Sequence, residues 1–158
     1  MGENPLLDTY RKAVGLTLIT LLLFSCSLPR IITLKDPLTP EEHIKLGRGY
    51  ENRGEYGPAL EQYEIAGKNL PVAYIYIGNL YFKKGEYDNA ETAYENAIKM
   101  SGDPRAYNNL AWLYYTTGRE MGKAEELARK AVSLSPASEE FKDTLNKIRK
   151  KIGGGNYD

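Results

Sequence analysis

From residue 40 to residue 152, apolar and small side chains recur at helical spacing, and the pattern before that is of two other kinds. Ala13–Phe24 is a largely apolar run of twelve residues. Residues 27–39 (SLPRIITLKDPLT) lack periodicity and hold two prolines, which reads as an extended tether. The helical part starts sharply at TPEEH. Thr39 can cap, Pro40 suits the first helical position, and Glu42 sits three residues after Thr39 as in a capping box. Three stretches then overlay one another: EEHIKLGRGYENRGEYGPALEQYEIA (41–66), VAYIYIGNLYFKKGEYDNAETAYENAI (72–98) and RAYNNLAWLYYTTGREMGKAEELARKAV (105–132). Small residues recur at Gly47, Gly78 and Ala111, at Ala59, Ala90 and Ala124, and at Ala66, Ala97 and Ala131. The first gap is 12, 12 and 13 residues and the second is 7 in all three. Gly54, Gly85 and Gly118 fall between the halves of each copy, where a turn must separate two helices. Tyr50, Tyr81 and Tyr114 lie three residues past the first small position, on the same helical face. Small side chains let two antiparallel helices approach closely, and the tyrosines fill the space between neighbouring pairs. After Pro136, Phe141, Leu145, Ile148 and Ile152 form one apolar stripe, a closing helix for the last exposed face. The pattern predicts an all-α chain with helix–turn–helix units at 40–70, 71–103 and 104–136, a final helix over 137–152 and a loose tail over 153–158.

Composition removes several functions. Lysine plus arginine and aspartate plus glutamate both count 21, so no basic excess points to nucleic acid. Thirteen tyrosines against three phenylalanines and one tryptophan suit thin helical layers, where a ring is buried at one end and wet at the other. One cysteine excludes an intramolecular disulfide and gives no metal cluster. The single histidine, His43, falls where a helix normally packs and reads as structural. Ser133, Ser135 and Ser138 cluster at a helix boundary with no base beside them, so they read as caps. GRG (47–49) and GEYG (54–57) follow no strand, which rules out a phosphate loop. Glu41–Glu42 and Glu139–Glu140 are helix starts that complement the macrodipole, and KIRKK (147–151) reads as a solvated helix end rather than an anionic-lipid contact. No catalytic, metal or cofactor set emerges, so the chain is not expected to be an enzyme.

The three copies resemble the tetratricopeptide repeat, whose 34-residue helix–turn–helix unit has this spacing of small and aromatic residues. The resemblance covers residues 40–136, with three departures. The first repeat is about three residues short before Pro71, the third has one inserted residue near Met121, and Ala128 replaces the tyrosine seen at Tyr63 and Tyr94. The second helix of the third repeat is therefore expected to pack differently. The resemblance implies a short right-handed solenoid with a C-terminal capping helix and a concave face lined by the first helix of each repeat. That face would hold Ile44, Arg48 and Asn52, then Ile75, Asn79, Phe82 and Lys83, then Asn108, Trp112 and Tyr115. Independently of the family, the i, i+4, i+7 spacing of Asn108, Trp112 and Tyr115 puts these three on one stripe. Tyr107, Leu110, Ala111 and Tyr114 already supply the packing face, which leaves Trp112 surplus to the core. Asparagines beside aromatics suit a peptide groove, since amides bond the peptide backbone while rings take side chains. The lysine–asparagine clamp that some such domains use for C-terminal carboxylates is not matched, because Ile44 and Tyr76 stand where polar residues are needed.

The N-terminus carries a second resemblance. A twelve-residue helix spans roughly 18 Å against a hydrocarbon core of about 30 Å, too short to cross but right for the centre of a signal peptide. Arg11 and Lys12 precede the run, and LFSC (23–26) resembles the lipobox of bacterial lipoproteins. Leu23 fills −3, Ser25 is the small residue at −1 and Cys26 is the obligatory cysteine; bulky Phe24 at −2 departs from the pattern, as do Glu3 and Asp8 in the leader. The resemblance implies cleavage of residues 1–25, lipid attachment at Cys26 and a lipidated tether over 26–39. Ser27, where an aspartate would favour the inner membrane, points to the outer membrane with the repeats facing the periplasm.

Together these readings describe a monomeric, membrane-anchored, non-catalytic adaptor of the bacterial envelope, binding an extended peptide or helix in its concave groove. Arg48, Asn52, Asn79, Phe82, Lys83, Asn108, Trp112 and Tyr115 are its candidate contacts. The alternative class is a pilotin-like or assembly lipoprotein that forms a stoichiometric part of an envelope machine.

Overall fold

Thr39 starts the first helix with both halves of a capping box. Its Oγ1 accepts from the Glu42 N–H at 3.2 Å, and its own N–H donates to Glu42 Oε2 at 2.7 Å. The computed structural model describes residues 36–154; Cys26, the apolar run before it, the tether to residue 35 and residues 155–158 lie outside the described residues. Among the described residues there are seven α-helices and no strand. In chain order they are α1 (Pro40–Asn52), α2 (Tyr56–Gly67), α3 (Ala73–Lys84), α4 (Tyr87–Ser101), α5 (Pro104–Thr117), α6 (Met121–Leu134) and α7 (Glu139–Gly154). All belong to the unit that begins at Pro37. Each helix packs on the next, most extensively within the pairs α1–α2, α3–α4 and α5–α6, and α7 closes the last pair.

The pairs turn where left-handed backbone is required. Gly54 and Gly85 have φ +78° and Gly118 has φ +70°, a conformation that costs a residue with a Cβ roughly 1–2 kcal/mol. The third turn is one residue longer, and Glu120 absorbs the insertion by itself adopting φ +45°.

All nine small positions are buried. Gly47 and Gly78 admit the ring of the tyrosine opposite: a Cβ built on Gly47 would lie 2.5 Å from Tyr63 Cε1, and one on Gly78 would collide with the Tyr94 ring. The third pair makes the reciprocal exchange. Ala111 carries a methyl group where the other pairs have glycine, and Ala128 stands where they have the ring; both are fully buried. The departure expected for α6 is thus a matched swap of volume across the contact.

α7 buries Phe141, Thr144, Leu145 and Ile148, an i, i+3, i+4, i+7 stripe. Ile152, expected on that stripe, is 39% exposed instead. The helix also runs to Gly154, so the first two glycines of the expected tail are helical.

Candidate functional site

The inner face is built from α1, α3 and α5, which α7 extends. α5 starts at Pro104 behind Asp103, whose carboxylate accepts from the Arg105 N–H at 2.9 Å, and ends at Gly118. This register sends Ala106, Leu110, Ala111, Leu113 and Tyr114 into the core. Trp112 and Tyr115 emerge beside them, half-buried, with ring centroids 5.1 Å apart and planes at 31°. Tyr115 packs against the core cluster around Leu113, whereas Trp112 is not among the rings packed on it. The sequence-derived view of Trp112 as surplus to the core agrees with that placement.

The basic end of α7 reaches these rings. Lys147 Nζ lies 5.4 Å from the Trp112 centroid and Lys151 Nζ lies 4.7 Å from that of Tyr115, both at cation–π range. Lys151 also donates to the Tyr115 carbonyl at 2.8 Å, and Lys147 pairs with Asp143 at 2.7 Å. That hydrogen bond to Asp143 raises the Lys147 pKa above its ordinary value. Two lysines of KIRKK, exposed as expected of a solvated helix end, thus also lie over aromatic rings of α5.

Asn108 differs most from expectation. It lies under α7 at 3% exposure and is not an open groove residue. Ile44 and Ile75, at the same register in the first two repeats, are 8% and 5% exposed. Every member of this row is buried, so the row faces packing and not an open groove. Asn108 Oδ1 has no hydrogen-bond partner, the one such buried side-chain atom among the described residues. A cleft of about 230 Å³ opens between α5 and α7, lined by Asn108, Asn109 and Trp112 on one side and by Glu140, Asp143, Thr144 and Lys147 on the other.

The other expected contacts spread along the face. Arg48 and Asn52 are exposed on α1. Asn79 is exposed on α3, and its Oδ1 accepts from the Tyr94 hydroxyl at 2.8 Å and from Asn109 Nδ2 at 2.9 Å, linking three helices. Phe82 packs partly on the core and meets the Tyr87 ring edge-on at 5.6 Å. Lys83 pairs with Glu51 at 3.5 Å, and Glu51 accepts from the Tyr63 hydroxyl at 2.8 Å. His43 is buried with Nδ1 2.8 Å from Gln62 Oε1. No group of residues able to hold a metal ion occurs among the described residues, and no described helix is long and apolar enough to cross a membrane.

Residues 75–139 match the tetratricopeptide repeat family model. The fold is a tetratricopeptide solenoid. The tetratricopeptide (TPR) domain of Sgt2 from Aspergillus fumigatus superposes with a TM-score of 0.69 at 19% identity, covering 83% of this chain and 89% of that one. The first TPR domain of human RPAP3 gives 0.67 at 19% identity, covering 77% and 100%. The first TPR of Spaghetti (RPAP3), bound to the HSP90 peptide SRMEEVD, gives 0.66 at 19% identity, covering 75% and 96%. At such identity the likeness is one of fold. No curated protein matches the chain at a significant level.

The tetratricopeptide register also shows what sequence reasoning missed. Glu51, Phe82 and Tyr115 each lie four residues past the first small position, so Glu51 was recoverable from the overlay that found the other two. Asn109 and Asp143 had no such signal, and Glu140 and Lys147 stood out only as helix-end charges, because the place of all four depends on how α7 docks.

Proposed function

We propose that the protein is a non-catalytic adaptor whose tetratricopeptide domain holds a peptide segment of another protein along its inner face. The observation that carries this reading is Trp112: a half-buried ring tilted against Tyr115, outside the rings that build the core, beside a cleft lined largely by polar residues. Large aromatics so placed commonly dominate protein interfaces. The RPAP3 domain bound to an HSP90 peptide lends support through shared architecture. The partner's chemistry differs from that of a clamped C-terminal carboxylate, since Ile44 is buried and Tyr76 lies against Tyr63 with centroids 5.4 Å apart.

The proposal extends to location. Leu23, Ser25 and Cys26 support a lipid anchor at Cys26, and Ser27 supports an outer-membrane address in a two-membrane bacterium with the repeats in the periplasm. Fatty-acid labelling of the full chain should vanish in Cys26→Ala; a label that persists removes the anchor.

Trp112 is the chain's one tryptophan, so its emission reports the groove directly. Envelope proteins captured by crosslinking should be lost at least roughly tenfold in Trp112→Ala while thermal unfolding moves little. Undiminished capture by a well-folded variant would place the binding surface elsewhere.

A further inference from the structure

We propose that a groove over the outer side of α3 is a second docking site, and that it receives a partner helix carrying a cationic and a leucine-sized side chain one turn apart. Tyr74, Ile77 and Tyr81 form its floor, at i, i+3, i+7 spacing on the side of α3 turned away from Asn79 and Phe82. The two rings are half-buried, and Ile77 and Ala93 of α4 close the bottom. Asn89 of α4 and Glu64 of α2 stand exposed on the rim. The volume is about 330 Å³, room for the ends of two side chains. This surface is distinct from the inner face, and its occupation does not depend on the reading of Trp112.

The third repeat shows what belongs there, because it fills the same place with its own side chains. In the repeat register Tyr107, Leu110 and Tyr114 correspond to that floor, Glu95 to Glu64, Lys123 to Asn89 and Leu127 to Ala93. Leu127 packs against the cluster that holds Leu110 and Tyr114. Lys123, one turn before it, reaches Glu95 at 3.4 Å and donates to the Tyr114 hydroxyl at 2.9 Å. The second repeat lacks both groups: a methyl stands for the leucine and a neutral amide for the lysine. Glu64 makes no ion pair among the described residues, not even with Lys68 four residues on, and Lys84 at the far end of α3 is held by Glu86 at 2.5 Å. An acid without a cation above an apolar floor calls for both missing groups together. One helix face supplies them at i, i+4, as α6 does in the third repeat. An anionic partner would meet Glu64 with nothing to offset it.

The test titrates the full chain, methyl-labelled at isoleucine and alanine, with the helical peptide Ac-AAQAAKAAALAAQA-NH2. Control peptides carry norleucine or glutamate for the lysine, or alanine for the leucine. The Ile77 and Ala93 methyl resonances should shift saturably with the lysine peptide. Norleucine should weaken binding by about threefold, and alanine for leucine by about fivefold or more. In the protein, Glu64→Gln, an exposed change, should weaken the lysine peptide by about threefold and leave the norleucine peptide unmoved. Asn89→Lys and Ala93→Leu write the third repeat's solution into the second. The first should weaken the lysine peptide by about threefold and the second by at least about fivefold; Asn89 is exposed, so its variant decides even where Ala93→Leu does not fold. No shift at these methyls, equal binding of the norleucine peptide, tighter binding of the glutamate peptide, or indifference to Glu64→Gln would overturn the assignment. Shifts confined to the Trp112 indole would overturn it by placing the peptide on the inner face. Shifts of the same methyls on dilution of the protein alone would do so by giving the groove to a second copy of this chain.

Discussion

The ring of Tyr94 lies against the bare backbone of Gly78, so closely that any side chain on Gly78 would collide with it. The same contact joins Gly47 and Tyr63, and it is absent from the third repeat, where Ala111 faces a helix carrying Ala128. The two positions thus trade volume with each other. Gly78→Ala should cost about 1–3 kcal/mol by overpacking. In a Tyr94→Ala background the same change should cost nothing, or gain up to about 1 kcal/mol through the better helix propensity of alanine. Denaturant unfolding of the four proteins of this cycle measures the coupling. Equal costs of Gly78→Ala in both backgrounds would refute the packing account.

Asn108 predicts a gain in stability on substitution. Its unpartnered Oδ1 carries a desolvation penalty, and such groups cost about 1–3 kcal/mol. Asn108→Leu should therefore raise the unfolding free energy by roughly 1 kcal/mol, as read by denaturant unfolding. A destabilised variant would show that the amide supports the fold in a way the static contacts do not reveal.

Three buried tyrosines set the alkaline limit. Burial raises the pKa of Tyr63, Tyr94 and Tyr114 above the ordinary tyrosine value, and acceptor bonds to Glu51 and Glu91 add to it for Tyr63 and Tyr114. A folded pKa above the unfolded one gives stability that is complete below the unfolded value, about 10, and is lost as pH rises from there through the folded values. The melting temperature should be insensitive to these groups near neutrality and fall steeply above about pH 10. Near-ultraviolet absorbance should show exposed tyrosines ionising first and the buried three only with loss of helix. Ionisation of all thirteen tyrosines with the helical signal intact would contradict it.

Asp103 acts at the other end of the scale. Arg105 hydrogen-bonds its carboxylate, through the side chain and the backbone N–H, and holds its pKa below the ordinary aspartate value. With the folded value depressed, the stabilisation is present above the unfolded pKa of about 3.9 and disappears as pH falls through the folded value. Asp103→Ala removes the cap of α5 and should cost about 1 kcal/mol at neutral pH. Asp103→Asn keeps the cap acceptor and should cost less, with a flatter acid limb in a pH series of thermal melts. A variant series with the wild-type acid limb would assign that limb to other carboxylates.

The helix pairs were legible because their determinants are local or repeated. Thr39, Pro40 and Glu42 write the capping box within four residues. Gly54, Gly85 and Gly118 mark the turns because only glycine takes positive φ there cheaply. Three overlaid copies, alike in spacing but for one inserted residue in the third, then identify the nine small positions, since close helix contact is required in each. Period and register follow from the chain alone, and with them the all-α solenoid.

The candidate site was legible only in outline. Helical spacing placed Asn108, Trp112 and Tyr115 on one stripe, and they are on one stripe; it could not tell what covers that stripe. α7 decided this by docking thirty to forty residues further along, burying Asn108 and laying Lys147 and Lys151 over the two rings. Periodicity records which residues share a face, because that depends on backbone geometry alone. Which face is roofed, and by what charge, depends on contacts between distant elements, and those exist only once the helices have packed.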